Sequence, residues 1–254
     1  MAQRHRKDQI IEMVTREGYV SIDDLVTAFN VTPQTIRRDL NQLAEEGLLD
    51  RHHGGAGILS STRNTTYQAR KELEMDGKRL IARMVADDIP DGASLFINIG
   101  TTTEAVAHEL LAKNNLRIVT NNLHVASILA EREDFRVIVT GGEVRHRDGG
   151  IIGEATVDLV KQFQMDFAII GVSGIHEDGT LLDFDYREVK VAQAIMENSR
   201  RVILCADHTK FGRNAMVRLG TVSQIDDLYT DKRLQGPISE ELSASGVAVH
   251  YPGI

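Results

Sequence analysis

The segment Thr32-Pro33-Gln34-Thr35-Ile36-Arg37-Arg38-Asp39-Leu40 constrains this chain more than any other. Thr32 is a side-chain N-cap. Pro33 takes the first helical position, where its fixed φ helps and its missing N–H costs nothing. Ile36, Leu40 and Leu43 recur at i, i+4 and i+7 and define a core-facing stripe, so Gln34, Thr35, Arg38 and Asn41 or Gln42 lie on other faces. Two shorter helical patterns precede it: Ile10, Ile11 and Val14 before Gly18, then a run with Leu25, Val26 and Phe29 opened by Ser21, Asp23 and Asp24. Only Asn30 and Val31 separate the second pattern from the third, the spacing of a helix-turn-helix whose last helix enters the major groove. Behind it, Leu48 to Asp50 and Arg51 to Ala56 read as a β-wing.

This arrangement sorts the polar residues by task. Gln34 and Arg38 are the candidates for base readout, since Gln pairs bidentately with adenine and Arg with guanine. Thr32 and Thr35 stand at the helix start, and Arg37 is assigned to phosphate. Arg51, His52 and His53 on the wing are expected to meet the backbone or a groove edge, contacts that set register without reading sequence.

Charge argues that any DNA footprint is local. The 254 residues carry 29 basic against 37 acidic side chains, net -8, and the first 57 hold seven basic against nine acidic. Binding then depends on a few phosphate contacts per protomer, on partner protomers, and steeply on salt. The lone Cys205, inside an apolar run, excludes an intrachain disulfide framework and reads as an inert core thiol in a reducing, cytoplasmic compartment. No signal-peptide core and no apolar run of bilayer length is present in the sequence, so no membrane role is expected.

The length accommodates one domain of about 60 residues and one of about 180. Residues 59–66, polar and without apolar period, read as a linker between a winged helix at 1–58 and a second domain at 67–254. Tyr67 to Asp88 reads as helix, weakened and open to splitting at Gly77, with Arg70, Lys71, Lys78, Arg79 and Arg83 read as solvated charge ahead of the alternative that they help neutralise DNA or effector. After Pro90-Asp91-Gly92, short apolar runs alternate with helical patterns such as Thr103 to Leu111 and Val189 to Ser199. The runs are Leu95–Ile99, Arg117–Thr120, Arg136–Thr140, Phe167–Val172, Val202–Ala206, Leu228–Thr230 and Val247–Val249. That alternation predicts an α/β layered domain on a mainly parallel sheet. Asp185 with Glu188 reads as an acidic capping box, and Gly149 to Gly153 as a tight turn, with a flexible flap as the alternative.

In such a sheet, ligands bind beyond the carboxyl ends of the strands. Gly100-Thr101-Thr102-Thr103 follows a strand and opens a helix, so backbone N–H groups, the helix dipole and three hydroxyls converge on a point suited to phosphate. Asn121, Asn122, Gly141, Gly142, Asp207 and Lys210 also follow strands and are expected to line the same crevice, Lys210 as the point charge. No residue is assigned a catalytic or metal-binding role.

Gln34 to Leu40, followed by Arg51-His52-His53-Gly54-Gly55-Ala56, resembles the DeoR family of bacterial transcriptional repressors. The resemblance runs the full length, through Ile99 to Thr103, Thr120-Asn121-Asn122, Gly141-Gly142-Glu143, Gly149 to Gly153 and Ala206 to Lys210. It implies an effector domain similar to the ribose-5-phosphate and glucosamine-6-phosphate isomerase fold, binding phosphorylated sugars or related metabolites. Asp207 and Lys210 match the family's Asp-x-x-Lys inducer motif, with Asp185 and Arg187 as weaker additions. Asp148 to Thr156 and Lys210 to Val217 narrow the resemblance to members that respond to glycerol 3-phosphate.

The function this predicts is a repressor of glycerol-metabolism genes, released from double-stranded operator DNA when the small phosphorylated metabolite binds, with no cofactor. A dimer or tetramer is expected, because one winged helix buries too little surface for operator affinity. A sugar-phosphate isomerase using Asp183, Asp185, Asp207 and His208 is the rival, but it leaves the first domain without a purpose. A winged helix used for protein or RNA contact is the third reading.

Overall fold

In the computed structural model, which describes residues 2–17, 19–52, 54–57 and 67–253, both expected helix starts carry their caps. After α1 (Ala2–Glu17) and β1 (Tyr19–Ser21), the Ser21 side chain accepts from the Asp24 N–H and the Asp24 carboxylate accepts from the Ser21 N–H, opening α2 (Ile22–Phe29). Asn30 ends α2 in the left-handed region at φ 49°, which turns the chain within two residues. Thr32 accepts from the Thr35 N–H, and Pro33 opens α3 (Pro33–Glu45). Gly47, at φ 69°, closes it.

The wing strands β2 (Asp50–His52) and β3 (Gly55–Gly57) start later than expected, because Leu48 bonds back to the Leu43 carbonyl at 2.8 Å and Leu49 is buried in the core. With β1, which is too short to show a period in sequence, they form an antiparallel sheet in the order β1-β3-β2. Ile10, Val14, Leu25, Ile36, Leu40 and Leu43 fill the core of this unit. Asp39 is buried at its edge and held by Arg6 at 2.7 Å.

The helix expected from Tyr67 to Asp88 is two, α4 (Tyr67–Glu72) and α5 (Met75–Asp88). The break falls at Glu74, left-handed at φ 48°, and not at Gly77. Gly77 is buried within α5, where an added Cβ would stand 2.8 Å from the Asp231 carboxylate, so its small size serves close approach. Contacts divide the chain into two compact units, Met1–Leu73 and Glu74–Ile254, which groups α4 with the first. The expected linker at 59–66 lies outside the described residues, as does His53.

The second unit continues through β4 (Ser94–Ile97), α6 (Thr101–Leu110), β5 (Arg117–Thr120), α7 (Leu123–Leu129), β6 (Arg136–Val139), β7 (Glu143–Val144), β8 (Ile151–Ile152), α8 (Glu154–Val160) and β9 (Met165–Gly171). Then come β10 (Gly174–Ile175), β11 (Thr180–Asp183), α9 (Tyr186–Glu197), β12 (Ser199–Cys205), β13 (Val217–Thr221), β14 (Asp227–Tyr229), α10 (Pro237–Ala244) and β15 (Ala248–His250). All seven apolar runs read from the sequence are strands of one sheet, ordered β15-β14-β12-β9-β4-β5-β6, and every pairing is parallel.

Alternate residues serve opposite faces. Leu95 and Ile97 join Ile81, Val106 and Val125 on one side, whereas Phe96 joins Val189, Ile195 and Leu242 on the other. A strand buried on both faces has to be apolar throughout, which is why these runs were readable. Cys205 is buried in the first of these layers, and burial pushes its thiol up to about 12.

Candidate functional site

On α3 the capped first turn and the buried stripe leave one face outward. Gln34, Arg37 and Arg38 are exposed, with no hydrogen bond or ion pair among the described residues, while Ile36, Asp39 and Leu40 are buried. Thr32 and Thr35 are bonded to each other at 2.9 Å, so both hydroxyls already serve the cap. Arg51, expected to reach for phosphate, donates to the Gly55 carbonyl at 2.6 Å and to the Asn41 side chain at 3.4 Å, bracing the wing against its own helix. His52 ends β2.

In the second unit, β4 has β5 and β6 on one side and β9, β12, β14 and β15 on the other. Strand order reverses between β4 and β9, and the carboxyl end of that switch point is where an open α/β sheet holds its ligand. The loops there are Asn98 to Gly100 after β4 and Gly171 to Ser173 after β9; Asn121 follows β5, and Asp207 to Lys210 lies just beyond β12. Asn98 and Asn121 are buried with side-chain oxygens that have no hydrogen-bond partner among the described residues. Natural interiors seldom leave such atoms unpaired, so they mark a polar floor.

Several expected ligand groups are instead spent on the fold. The Thr103 hydroxyl donates to the Asn98 and Gly100 carbonyls, both at 2.8 Å, so three hydroxyls do not converge on one anion. Asn122 caps α7 by accepting from the N–H groups of His124 and Val125, and its amide donates to Glu104 at 3.2 Å. Gly141 and Gly142 follow the edge strand β6, away from the switch point. At Gly142, φ is 141° and an added Cβ would lie 2.3 Å from the Thr156 hydroxyl and 2.6 Å from the Ile152 carbonyl. Backbone crowding accounts for that glycine.

In the Asp207 to Lys210 loop the two matched residues face each other. Asp207 is buried, accepts from the Thr209 N–H at 3.0 Å and from the Thr209 hydroxyl, and stands 4.0 Å from the Lys210 ammonium. Burial pushes its carboxyl up, but Lys210, Thr209 and Lys78 outweigh it and hold the group below the usual carboxylate range. Lys78, read from sequence as solvated, is buried in the first turn of α5. Its neighbours Arg79 and Arg83 are exposed.

Over the same edge lies the β7–β8 hairpin, which closes onto β5 through the Ile151 N–H to the Asn121 carbonyl at 2.7 Å. Its Arg145 pairs with Asp148 at 2.7 Å, Asp185 at 3.2 Å and Glu188 at 2.7 Å. Gly149 to Gly153 is thus the hairpin's return strand. Asp185 caps α9 through the Arg187 N–H, but Glu188 turns to Arg145 and does not close a capping box. Sequence reading missed Arg145.

The carboxylates of the isomerase alternative are occupied. Asp183 accepts from the Ser173 hydroxyl at 3.0 Å and the Phe184 N–H at 2.7 Å, Asp185 pairs with Arg145, and His208 pairs with Asp231 at 2.7 Å. General acid–base work needs such groups to face a reacting proton.

Residues 6–62 match the family described as the DeoR-like helix-turn-helix domain, and residues 73–232 match the DeoR C terminal sensor domain. The chain is 59% identical over 231 residues to the glycerol-3-phosphate regulon repressor of Escherichia coli (strain K12), covering 91% of this chain and 92% of that one. It is 52% identical to the repressor of the same name from Haemophilus influenzae over 94% of this chain and 93% of that one. The E. coli HTH-type transcriptional repressor CsqR is 42% identical over 97% of this chain and 95% of its own length. Among solved structures, ribose 5 phosphate isomerase A from Neisseria gonorrhoeae is a distant likeness: 16% identity, TM-score 0.39, 56% of this chain and 54% of that one.

Proposed function

The chain belongs to the DeoR family of DNA-binding regulators, not enzymes, and from that premise we propose that it represses glycerol 3-phosphate metabolism genes and leaves its operator when glycerol 3-phosphate binds the second unit. One observation carries the DNA half. A doubly marked helix presents Gln34, Arg37 and Arg38 outward, without a hydrogen-bond or ion-pair partner among the described residues, a set of side chains suited to adenine, phosphate and guanine. For the effector half, support comes from the Asp207–Lys210 pair beside the switch point and from similarity to two repressors named for that regulon. Asn98 and Asn121 are added to Gly100, Thr101, Thr102 and Lys210 as lining, and Thr103, Asn122, Gly141 and Gly142 are scaffold.

Induction requires the metabolite to prefer the conformation that binds DNA poorly, because equal affinity for both would shift nothing. Paired half-sites call for a dimer or tetramer. Among the described residues, no helix is long and apolar enough to cross a membrane.

Calorimetric titration with glycerol 3-phosphate, glycerol and several sugar phosphates, repeated on Lys210→Ala, tests the reading. Selective binding of glycerol 3-phosphate that the variant loses is the expected result. Binding of another sugar phosphate would keep the repressor and change its regulon, and no binding at all would sink the effector assignment.

A further inference from the structure

Phe96, Val119 and Ile138 are aligned on three adjacent parallel strands, β4, β5 and β6, and pack into one apolar layer. Two residues further on, where the pleat returns to the same face, come Asn98, Asn121 and Thr140. Backbone bonds carry the ladder into this row: the Asn98 N–H donates to the Ile169 carbonyl and the Thr140 N–H to the Thr120 carbonyl, both at 3.0 Å. All three residues are buried, and each has a side-chain oxygen with no hydrogen-bond partner among the described residues. At its carboxyl edge, the apolar layer ends in a row of unsatisfied oxygens.

Other polar groups at these strand ends are satisfied. The Thr120 hydroxyl donates to the Ile97 carbonyl at 2.6 Å, and the Thr103 hydroxyl to the Asn98 carbonyl at 2.8 Å. The Asn121 Nδ2 donates to the Ile151 carbonyl at 3.2 Å, which fixes the amide with its oxygen, and not its nitrogen, left over. The Ile151 N–H returns to the Asn121 carbonyl at 2.7 Å, and a Cβ added at Gly150 would stand 2.5 Å from Ile99 Cδ1. The return strand of the β7–β8 hairpin therefore lies against the ends of β4 and β5.

A buried carbonyl oxygen without a donor costs stability, so two side by side call for donors from outside the fold. A phosphate ester near neutral pH offers chiefly acceptors at its anionic end and would be repelled by these oxygens. Hydroxyl groups are the complementary chemistry. Neighbouring strands lie about 4.8 Å apart, so two oxygens at one register are spaced for hydroxyls on adjacent carbons. Glycerol 3-phosphate carries two such hydroxyls.

We infer that Asn98 and Asn121 are specificity residues for the organic half of the effector: their side-chain oxygens accept hydrogen bonds from the hydroxyls of a phosphorylated polyol. The phosphate is held apart from them, by Lys210 and the N–H groups that open α6. The inference rests on the effector reading of the second unit, and it adds what selects a hydroxylated ester from any other phosphate. Thr140 continues the row, but its hydroxyl both gives and accepts and so sets no preference for a donor.

The test is calorimetric titration of the full-length protein with glycerol 3-phosphate and with propyl phosphate, which has the same carbon chain and no free hydroxyl. Wild type should prefer glycerol 3-phosphate by about a hundredfold or more, because a site built to bind a hydroxyl rejects the analogue that lacks it. Asn98 is the residue to change, since Asn121 also holds Ile151. Asn98→Leu should weaken glycerol 3-phosphate about tenfold or more and leave propyl phosphate within about threefold. Without ligand, this variant should melt no lower than wild type, because the oxygen it removes has no partner in the fold. Asn98→Ala repeats the binding comparison should the leucine not fit. Lys210→Ala, by contrast, should weaken both esters.

Equal wild-type affinity for the two esters would overturn the hydroxyl assignment and leave the effector site standing. So would an equal loss of both esters, with a lower melting temperature, in both Asn98 variants; that pattern belongs to a residue that only braces the fold. Failure of wild type to bind either ester or any sugar phosphate would defeat the effector reading, and the hydroxyl assignment with it.

Discussion

On α3, Gln34, Arg37 and Arg38 stand clear of the fold, whereas at the carboxyl ends of β4, β5 and β12 the Thr, Asn and Asp side chains picked out by the same kind of motif are largely bonded to their own backbone. On the function proposed above, the contrast follows from what each surface would meet. Duplex DNA is a large partner that reaches an exposed helix face, so its readers need only a rigid helix behind them. A small anion is held inside a loop, and the loop must first be built from polar residues that satisfy its own N–H and C=O groups. In the crevice, a motif residue is therefore as often scaffold as ligand, and hydrogen-bond partners separate the two.

The largest expected effect probes a scaffold residue. Gly142→Ala forces a Cβ against the Thr156 hydroxyl and the Ile152 carbonyl at positive φ and should destabilise the second unit by about 3 kcal/mol. Gly141→Ala, which meets open space, should change the melting temperature little. Equal melting temperatures for the two variants would return Gly142 to the list of ligands.

Next comes the reading face. Arg38→Ala should cost operator binding about 1–3 kcal/mol, relax preference at one base pair and leave metabolite binding intact; joint loss would contradict the division of labour. Arg37→Ala should weaken all duplexes alike and lower the salt slope by about one, which salt titrations would show.

A smaller pair sharpens the comparison within the crevice. Thr103→Val removes the hydroxyl that donates to the Asn98 and Gly100 carbonyls, of which Gly100 still accepts from the Glu104 N–H at 3.0 Å, and should lower stability by about 1–2 kcal/mol with modest change in metabolite affinity. Lys210→Ala should do the reverse. Paired calorimetry and thermal melts on the two variants check this, and matching profiles would erase the distinction between scaffold and ligand.

The smallest effect is a pH dependence. The hydrogen bond that the His208 ring donates to the Asp231 carboxylate raises the His208 pKa above its usual value despite partial burial and the nearby Lys232. A raised folded-state pKa means that this contribution is fully present below the ordinary imidazole value of 6.5 and is lost as pH rises through the folded value. His208→Gln should flatten the stability profile as pH rises above the ordinary imidazole value of 6.5, measured by denaturant melts. A profile unchanged by the substitution would show that His208 does not titrate in this way.

Local signals were legible because they act over a few residues. Ser21, Thr32 and Pro33 mark helix starts within one turn, and the run Arg117 to Thr120 coincides with β5. Where the reading slipped, distant partners were the cause. Strands β9 and β12 begin at Met165 and Ser199, ahead of the apolar runs, because Asp166 and Arg201 are polar residues held by Ser94 and Asp227 from neighbouring elements. The break at Glu74 carries no glycine or proline to announce it.

The sequence by itself determined the two-part architecture, the capped recognition helix and the parallel sheet. Caps, turn residues and apolar period are codes written in neighbouring positions. Tertiary structure alone decided which polar residues are free and which are spent: that Lys78 is buried, that Thr103 and Asn122 hold their own loops, that Gly77 makes room for Asp231, and that Arg145 gathers three carboxylates. Those outcomes depend on residues far apart in the chain, and a side chain's hydrogen-bond partners exist only once the fold has brought them within about 3 Å.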